Sequence, residues 1–152
     1  MKLVPIHEMN IEAAAEIINS NQEYNYLENG SFTRTLDEVR KELMNDTTES
    51  YLIKRDHQWV GVIDYLKYNH KDQTPWLGLL MIKGSDHYKG YGKRAYNVFE
   101  EKLRNERIGK IRLGVLQTNE EAKVFWGKMG FIRYGTSQWE GKAVDCYEKI
   151  LE

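Results

Sequence analysis

The segment His87-Tyr88-Lys89-Gly90-Tyr91-Gly92-Lys93 carries more information about the fold than any other part of the chain. It follows an apolar run, Trp76 to Ile82, that predicts a buried strand, and it precedes a helical pattern. Glycines at alternate positions allow a tight turn and let the backbone come close to a ligand. Several N–H groups at a helix N-terminus then form a site that suits a phosphate group.

Two other interpretations of this loop stay open. A single G-x-G is a weak motif, and it is also compatible with a turn that merely starts a helix. Gly90, Gly92 and Ala95 satisfy the G-x-G-x-x-A pattern of a dinucleotide-binding fold as well. That fold calls for an acidic residue at the end of the next strand, where this chain has Gln117, so it is disfavoured. A Walker loop is excluded because no G-K-[ST] follows.

The rest of the chain predicts a mixed α/β domain. Apolar residues at helical spacing indicate helices after Asn10, after a capping box at Thr35 and Glu38, after the glycine loop, and from a second capping box at Thr118 and Glu121. A tyrosine-bearing polar stretch follows the first helix. Gly130 fits a C-terminal helix cap. Strands are predicted at residues 2–6, 51–54, 59–68, 76–82, 110–116, 131–136 and 144–151. This order indicates a mixed sheet with helices on both faces.

Composition limits the class of protein. The chain has 152 residues, of which 41% are apolar and 30% are charged, so we expect one domain spanning residues 1–152. A formal net charge of −1 disfavours nucleic acid as a partner. The longest apolar run is too short to span a membrane, and the N-terminus lacks the pattern of a signal peptide. With Cys146 as the single cysteine and the four histidines scattered, we expect a cytoplasmic protein without a disulfide or a metal site.

Two segments resemble the signatures of the GNAT superfamily of N-acetyltransferases. The glycine loop is similar to motif A, [QR]-x-x-G-x-[GA], although His87 stands where the family has Gln or Arg. Residues 119–131, NEEAKVFWGKMGF, resemble the second signature, N-x-x-A-x-x-[LF]-Y-x-K-x-G-F, with Trp126 at the Tyr position. The resemblance covers roughly residues 50–135 and implies a twisted, mostly antiparallel sheet of about seven strands, with helices on both faces.

The resemblance also implies a binding site for acetyl-CoA as co-substrate, with no metal. The backbone of the strand before the loop would pair with the pantetheine arm through Leu80, Met81 and Ile82. The loop would hold the pyrophosphate through His87, Tyr88, Lys89, Gly90, Tyr91, Gly92 and Lys93. The other side of the cofactor would be lined by Asn119, Phe125 and Trp126. Leu80, Ile82 and Phe125 would be core residues in any case, and Asn119 could be an ordinary helix cap.

The catalytic residues are less clearly indicated. An alkylammonium must lose a proton before it attacks a thioester, and Asp64 is the candidate base because it interrupts an apolar strand. Its alternative role is a solvent-facing residue at a strand end. Trp126 occupies the position of the family's usual acid, so Tyr134 is a candidate acid, with Tyr147 as another. Tyr24 and Tyr26 lie where relatives build the acceptor pocket, but they could equally form a local hydrophobic cluster.

These features predict an N-acetyltransferase that moves an acetyl group from acetyl-CoA to a primary amine, in direct attack within a ternary complex. A small-molecule amine is favoured over a protein N-terminus because no extended recognition insert is present. The alternative is a non-catalytic acyl-CoA-binding or sensor module of the same fold, which the missing tyrosine keeps open. Nucleic acid and membrane are not expected as partners, and a homodimer is compatible with the sequence.

Overall fold

The computed structural model describes residues 1–152, and all seven strands form one sheet in the order β1-β2-β3-β4-β5-β7-β6. The strands are β1 (Lys2–Pro5), β2 (Thr48–Arg55), β3 (Gln58–Asn69), β4 (Thr74–Ile82), β5 (Lys110–Leu116), β6 (Ile132–Trp139) and β7 (Lys142–Ile150). The helices are α1 (Ile11–Asn19), α2 (Gln22–Asn29), α3 (Leu36–Leu43), α4 (Tyr91–Asn105) and α5 (Glu120–Lys128), with a short 3₁₀ helix at Gly84–Asp86. The predicted mixed, mostly antiparallel sheet is confirmed.

The sheet consists of two antiparallel halves. Strands β1 to β4 form one half, and β5, β7 and β6 form the other. The halves meet only where β4 and β5 run parallel, and a single pair of residues, Trp76 and Arg112, is in register there. Beyond this pair the two strands separate toward their C-terminal ends, which leaves a gap inside the sheet.

A polar cluster holds the closed end of this gap together. Asp72, in the turn before β4, accepts a hydrogen bond from Trp76 Nε1 at 2.7 Å and one from Arg112 Nη1 at 3.0 Å. Arg112 Nε also donates to Glu148 Oε2 of β7 at 2.7 Å. Because charged, hydrogen-bonded contacts of this kind are directional, they fix where the two halves touch.

Helices cover both faces of the sheet. Helices α1 and α3 pack on one face, in a buried cluster that includes Val39 of α3 and Val62 of β3. Helix α4 lies on the opposite face, where Phe99 shares a second cluster with Ile63 of the first half and Ile111 of the second. Helix α4 therefore bridges both halves while the strands beneath it diverge. No helix in the structure has the length and apolar character needed to cross a membrane.

Helix α2 is absent from the sequence-based assignment, which left residues 22–29 as a polar stretch. Its buried residue is polar: Asn25 Nδ2 donates to the carbonyl groups of Ile18 at 2.9 Å and Phe32 at 3.1 Å. Gly30 ends the helix in the left-handed region with φ of 75°. A helix anchored by an amide rather than by an apolar stripe carries no apolar periodicity, and for this reason the pattern did not reveal it.

The helix starts agree only partly with the sequence. The capping box at Thr35 and Glu38 is confirmed. At α1, Asn10 Oδ1 accepts from His7 N instead of from a helical amide. The predicted box at Thr118 and Glu121 is wrong, because Asn119 is the cap and its Oδ1 accepts from the amide of Ala122 at 3.1 Å. Neighbouring polar residues compete for the same free amides, and the chain direction at the helix start decides between them.

We expect Thr35→Ala to lower the free energy of unfolding by about 1 kcal/mol, because the amide of Glu38 loses its side-chain acceptor. Denaturant titration followed by circular dichroism measures this change. Thr33→Ala is the matched control, since the Thr33 side chain is exposed and outside the cap. Equal stabilities of the two variants would contradict a contribution from the capping box.

Candidate active site

The gap between β4 and β5 exposes one edge of β4. Lys83 N donates to Val60 O of β3 at 2.8 Å, and in an antiparallel pair the direction of the peptide groups alternates along the strand. The N–H and C=O groups of Leu80 and Ile82 therefore point toward the gap. Those of Met81 point toward Val62 of β3, and the Met81 side chain packs under α1 and α3.

The loop after β4 is tied to the end of α1. The carbonyl oxygen of Ile82 accepts from Asn21 Nδ2 and from His87 Nε2, each at 2.9 Å. Since a carbonyl group only accepts, the His87 ring nitrogen is the donor. Gly84 N donates to Ser20 Oγ at 2.9 Å, and a Cβ at Gly84 would stand 2.5 Å from the Ser20 carbonyl oxygen. The sequence analysis missed Ser20 and Asn21, because contacts between residues so far apart in the chain leave no local signal.

The loop turns sharply into α4. Tyr88 and Gly90 both have positive φ, of 63° and 80°, and Tyr88 is 91% exposed. The amides of residues 91–93 precede the first helical bond, which runs from Arg94 N to Gly90 O at 3.2 Å. The first turn of α4 contains no acidic residue. Together with the positive end of the helix dipole, these free amides form a site for an anion.

Basic side chains surround the Tyr91 ring at this helix start. The guanidinium of Arg55 lies 5.1 Å from the ring centroid, that of Arg94 lies 5.9 Å away, and Lys89 Nζ lies 6.0 Å away. Lys93 is exposed next to them. Such a cluster gives the loop a positive potential that attracts phosphate groups.

Helix α5 closes the other side of the gap. A Cβ at Gly92 would stand 3.3 Å from Phe125 Cε1 and 3.9 Å from Ile82 Cγ1, so Phe125 packs directly over the start of α4. Asn119 uses its Oδ1 as the cap of α5. Glycine at position 92 therefore serves the close approach of two helices, in addition to leaving its amide free.

Trp126 is turned into the core. Its ring makes edge-to-face contacts with Tyr96 at 5.4 Å, Phe131 at 5.2 Å and Phe125 at 4.8 Å between centroids. An indole N–H is a donor only. The residue at the family's usual Tyr position thus contributes aromatic packing between α4 and α5 and has no group suited to proton transfer.

Asp64 lies on the opposite face of the sheet, the face that α1 and α3 cover. The residue is 8% exposed, and its Oδ1 accepts a hydrogen bond of 2.6 Å from Ser50 Oγ on the neighbouring strand. Burial raises the pKa of Asp64, while the hydroxyls of Ser50 and Thr48 act in the opposite direction. Asp64 therefore is a largely buried carboxyl group with a raised pKa, which is typical of functional sites.

Three further titratable side chains line the same face, and two of them were missed by the sequence analysis. Burial raises the pKa of Glu42 on α3 even though Arg34 forms an ion pair with it. Burial also raises the pKa of Glu28 on α2, and burial together with Glu28 raises that of Tyr24. In the sequence, Glu28 and Glu42 look like ordinary residues of polar helix surfaces.

The other two tyrosines lie further out. Tyr26 is 54% exposed and stacks on Phe32 with a centroid distance of 4.6 Å. Tyr134 is 46% exposed on β6, which β7 and β5 separate from β4, and the Arg112 guanidinium lies 4.5 Å from its ring centroid. Partial burial raises the pKa of Tyr134. The structure brings Tyr24 next to Glu28 and Glu42, and it does not bring Tyr26 there.

The open gap, the anion site and the divided sheet agree with a known family. The model of the acetyltransferase (GNAT) family matches residues 12–131, well over half of the chain. The chain belongs to the GNAT family of acetyltransferases. GNAT acetyltransferases use acetyl-CoA as the acetyl donor.

Solved structures of other proteins share the fold. An acetyltransferase from Thermus thermophilus is 20% identical, with a TM-score of 0.82 over 98% of this chain and 96% of its own. A spermidine N-acetyltransferase from Vibrio cholerae, in complex with CoA and spermine, is 14% identical, with a TM-score of 0.77 over 99% and 95%. The ribosomal-protein-S18-alanine N-acetyltransferase from Escherichia coli is 10% identical, with a TM-score of 0.75 over 99% and 93%. At these identities the similarity shows the fold alone.

Because its pKa is raised, Asp64 keeps its proton in the folded protein over a pH range in which the unfolded chain has already released it. Stability therefore falls as the pH rises above the ordinary carboxyl value of 3.8. We expect Asp64→Asn, which can still accept from Ser50, to melt above the wild type at pH 8. Each kcal/mol gained in the free energy of unfolding raises the melting temperature by about 2–4 °C for a chain of this length. Scanning calorimetry should show the difference shrinking toward pH 4, and a lower melting temperature at every pH would contradict this account.

Proposed function

We propose that the protein is an N-acetyltransferase that transfers the acetyl group of acetyl-CoA to a primary amine of a small molecule while both are bound. The observation that carries the proposal is the position of Asp64. Its largely buried carboxyl group lies beside β4, the same strand whose other edge faces the gap. A donor in the gap and an acceptor above Asp64 would meet at this one strand.

The residues around the gap fit acetyl-CoA. The peptide group of Leu80 and the N–H of Ile82 point into it, whereas the Ile82 carbonyl already accepts from Asn21 and His87. A pantetheine arm offers amide groups that can pair with such an edge. The free amides between Tyr88 and Lys93 fit the pyrophosphate, and Phe125 would pack along the cofactor's other side. In this arrangement acetyl-CoA supplies an acetyl thioester at the point where β4 and β5 diverge.

On the acceptor side, Asp64 would remove the proton. A free alkylammonium has a pKa of about 10, so at neutral pH the amine arrives protonated. A carboxylate whose pKa is raised is a stronger base than an ordinary one, and general bases typically contribute about 10²- to 10⁴-fold. Glu28 and Glu42 add negative charge to the same face and would favour a cationic acceptor.

Departure of the leaving group depends less on a general acid than attack by the amine depends on a general base. A thiol has a pKa of about 8.5, so a thiolate leaves readily without a strong acid. The N–H of Leu80, directed toward the gap, is a donor for the negative charge that develops on the carbonyl oxygen. Trp126 has no part in this proton transfer, and Tyr134, across two intervening strands, remains a proposed acid without a contact to the gap.

The inward packing of Trp126 also favours a second candidate, a non-catalytic acyl-CoA-binding module. The two functions differ in one measurement, the release of free CoA that depends on added amine. The Vibrio cholerae spermidine N-acetyltransferase, which shares this fold, acts on a small polyamine and so supports a small-molecule acceptor. A panel of primary amines, including spermidine, is therefore the first set of acceptors to test.

Binding of CoA should stabilise the protein by about 2.7 kcal/mol at 100 times its dissociation constant. We expect Gly92→Val to weaken this binding at least tenfold in calorimetric titrations, because the new side chain displaces Phe125 from the start of α4. Gly127→Val on α5 is the matched control, since a Cβ there meets nothing within 4 Å. Equal affinity in Gly92→Val and Gly127→Val would contradict the assigned cofactor side.

For Asp64→Asn we expect kcat/KM for the amine to fall by about 10²- to 10⁴-fold, since the asparagine cannot accept the proton. The dissociation constant of acetyl-CoA should stay unchanged. Asp46→Asn, an exposed aspartate in the loop before β2, serves as the charge-matched control. Full turnover in Asp64→Asn would remove Asp64 from the mechanism. If the wild type binds acetyl-CoA but no added amine increases the release of free CoA, the acyl-CoA-binding module would remain as the function.

A further inference from the structure

The two oxygens of the Asp64 carboxyl group have different surroundings. Ser50 lies directly opposite Asp64 in the β2–β3 pair, and its hydroxyl donates to Oδ1. The pKa of Asp64 is set by its burial, by the hydroxyls of Ser50 and Thr48 and by the backbone N–H of Tyr65, with no basic side chain among these groups. Ionised Asp64 therefore has no cationic partner within the protein, although such a buried charge is stable only when it is paired.

A bulge in β4 places a residue without a side chain beside the second oxygen. Asp64 pairs with Leu79 and Tyr65 pairs with Leu77, so Gly78 is the extra residue between them. A Cβ at the exposed Gly78 would stand 3.6 Å from Asp64 Oδ2. Oδ2 thus lies beside a strand position that has no side chain, and any residue other than glycine would cover it. Bulges frequently accompany functional sites, where they redirect or expose a neighbouring group.

We infer that the acceptor binds over Gly78 as a primary ammonium on an unbranched carbon, with its nitrogen against Oδ2 of Asp64 while Ser50 holds Oδ1. This inference rests on the proposed function and specifies its acceptor. A charge-assisted N–H···O bond spans about 2.7–2.9 Å, so the nitrogen and its first carbon occupy the space that a side chain at position 78 would fill. A branch on that carbon would contact the backbone of Gly78.

The charges around this position favour a cation. Helix α3 presents Glu42, paired with Arg34, and the charge of Asp64 contributes to the raised pKa of Glu42. Helix α2 presents Glu28 and Tyr24 to the same region. Strand β2 presents only the hydroxyls of Ser50 and Thr48. Asp64 is accordingly an acid of this face that forms no ion pair within the protein, and an ammonium would supply its counter-ion.

The chemical step is balanced with the groups named. The ammonium transfers one proton to Oδ2 of Asp64, and the free amine nitrogen forms a bond to the acetyl carbon. The carbon–sulfur bond of the thioester breaks, and the sulfur leaves as the thiolate of CoA. A second proton leaves the nitrogen to solvent as the amide is completed. Ser50 is a positioning residue in this step, because it acts only through Asp64.

Gly78→Ala tests the proposed position without disturbing the fold, since its added carbon lies at an ordinary contact distance. Binding of n-butylammonium and its isomer sec-butylammonium is measured by ligand-observed NMR, with CoA present. The wild type should bind the unbranched isomer about tenfold or more tightly than the branched one, and Gly78→Ala should weaken the unbranched isomer by a similar factor. Gly135→Ala, another strand glycine whose Cβ would meet nothing, is the matched control.

Ser50 is tested through the pH profile of amine-dependent CoA release. We expect Ser50→Ala to move the acidic limb of kcat/KM to higher pH, because the carboxylate loses the hydroxyl that favours its ionised form. Ser50→Thr keeps a hydroxyl and should restore the wild-type limb. A purely structural role would lower activity or melting temperature without moving the limb, and this result would overturn the assignment of Ser50.

The outcomes separate this inference from the proposed function. If Gly78→Ala releases CoA with n-butylamine at the wild-type rate, the acetyltransferase function stands and the proposed acceptor position is overturned. If the wild type binds n-butylammonium, Gly78→Ala does not, and neither releases CoA, the result supports the acceptor position and refutes catalysis. Absence of n-butylammonium binding to the wild type overturns the inference directly, as does equal binding of the two isomers.

Discussion

The interruption between β4 and β5 is the constraint on which the rest of the structure depends. One edge of β4 is left without a strand partner in the middle of a sheet, although buried peptide groups require hydrogen bonds. The edge stays open because Asp72, Arg112 and Glu148 join the two halves at one end only. Helix α4 packs across both halves and shares one buried cluster with residues of each.

In the proposed function, each side of β4 would use a different kind of recognition. The gap presents peptide groups, and the loop at its mouth adds the amides at the start of α4, so this side depends mainly on backbone conformation. Side chains there can vary while the backbone remains suitable, so the departures from the family pattern at His87 and Trp126 are compatible with the proposed cofactor site. The opposite face depends on side chains, chiefly Asp64 and its hydrogen bond with Ser50.

The proposed acceptor face is built at some cost in stability. Asp64, Glu28 and Glu42 are all carboxyl groups whose burial raises the pKa, so each is less well solvated when ionised than it would be in the unfolded chain. Proteins commonly accept such a loss where the same groups serve function. The raised pKa values thus support the proposed role of this face. Asp72 and Arg112, in contrast, form part of the hydrogen-bonded contact between the two halves of the sheet.

Local patterns in the sequence were sufficient to predict most of the strands and helices and the family. The spacing of apolar residues revealed most strands and helices, and the glycine loop lies between a strand and a helix as its pattern indicated. The two signatures identified the family, because they depend on residues that are close together in the chain. Helix α2 was missed for the same reason, since its buried Asn25 makes its contacts through an amide rather than through an apolar stripe.

Only the tertiary structure decided how distant segments meet. Asn21 and Ser20 anchor the loop after β4, and Gly78 lies beside the free oxygen of Asp64, but none of these contacts has a signal in the linear pattern. They follow from strand register, from one inserted residue in β4 and from the path of α1 across the sheet. Hydrophobic periodicity specifies which face of an element is buried, and it does not specify which residue of another element lies opposite. The fold could therefore be predicted from the sequence, while the proposed acceptor side could be located only in the tertiary structure.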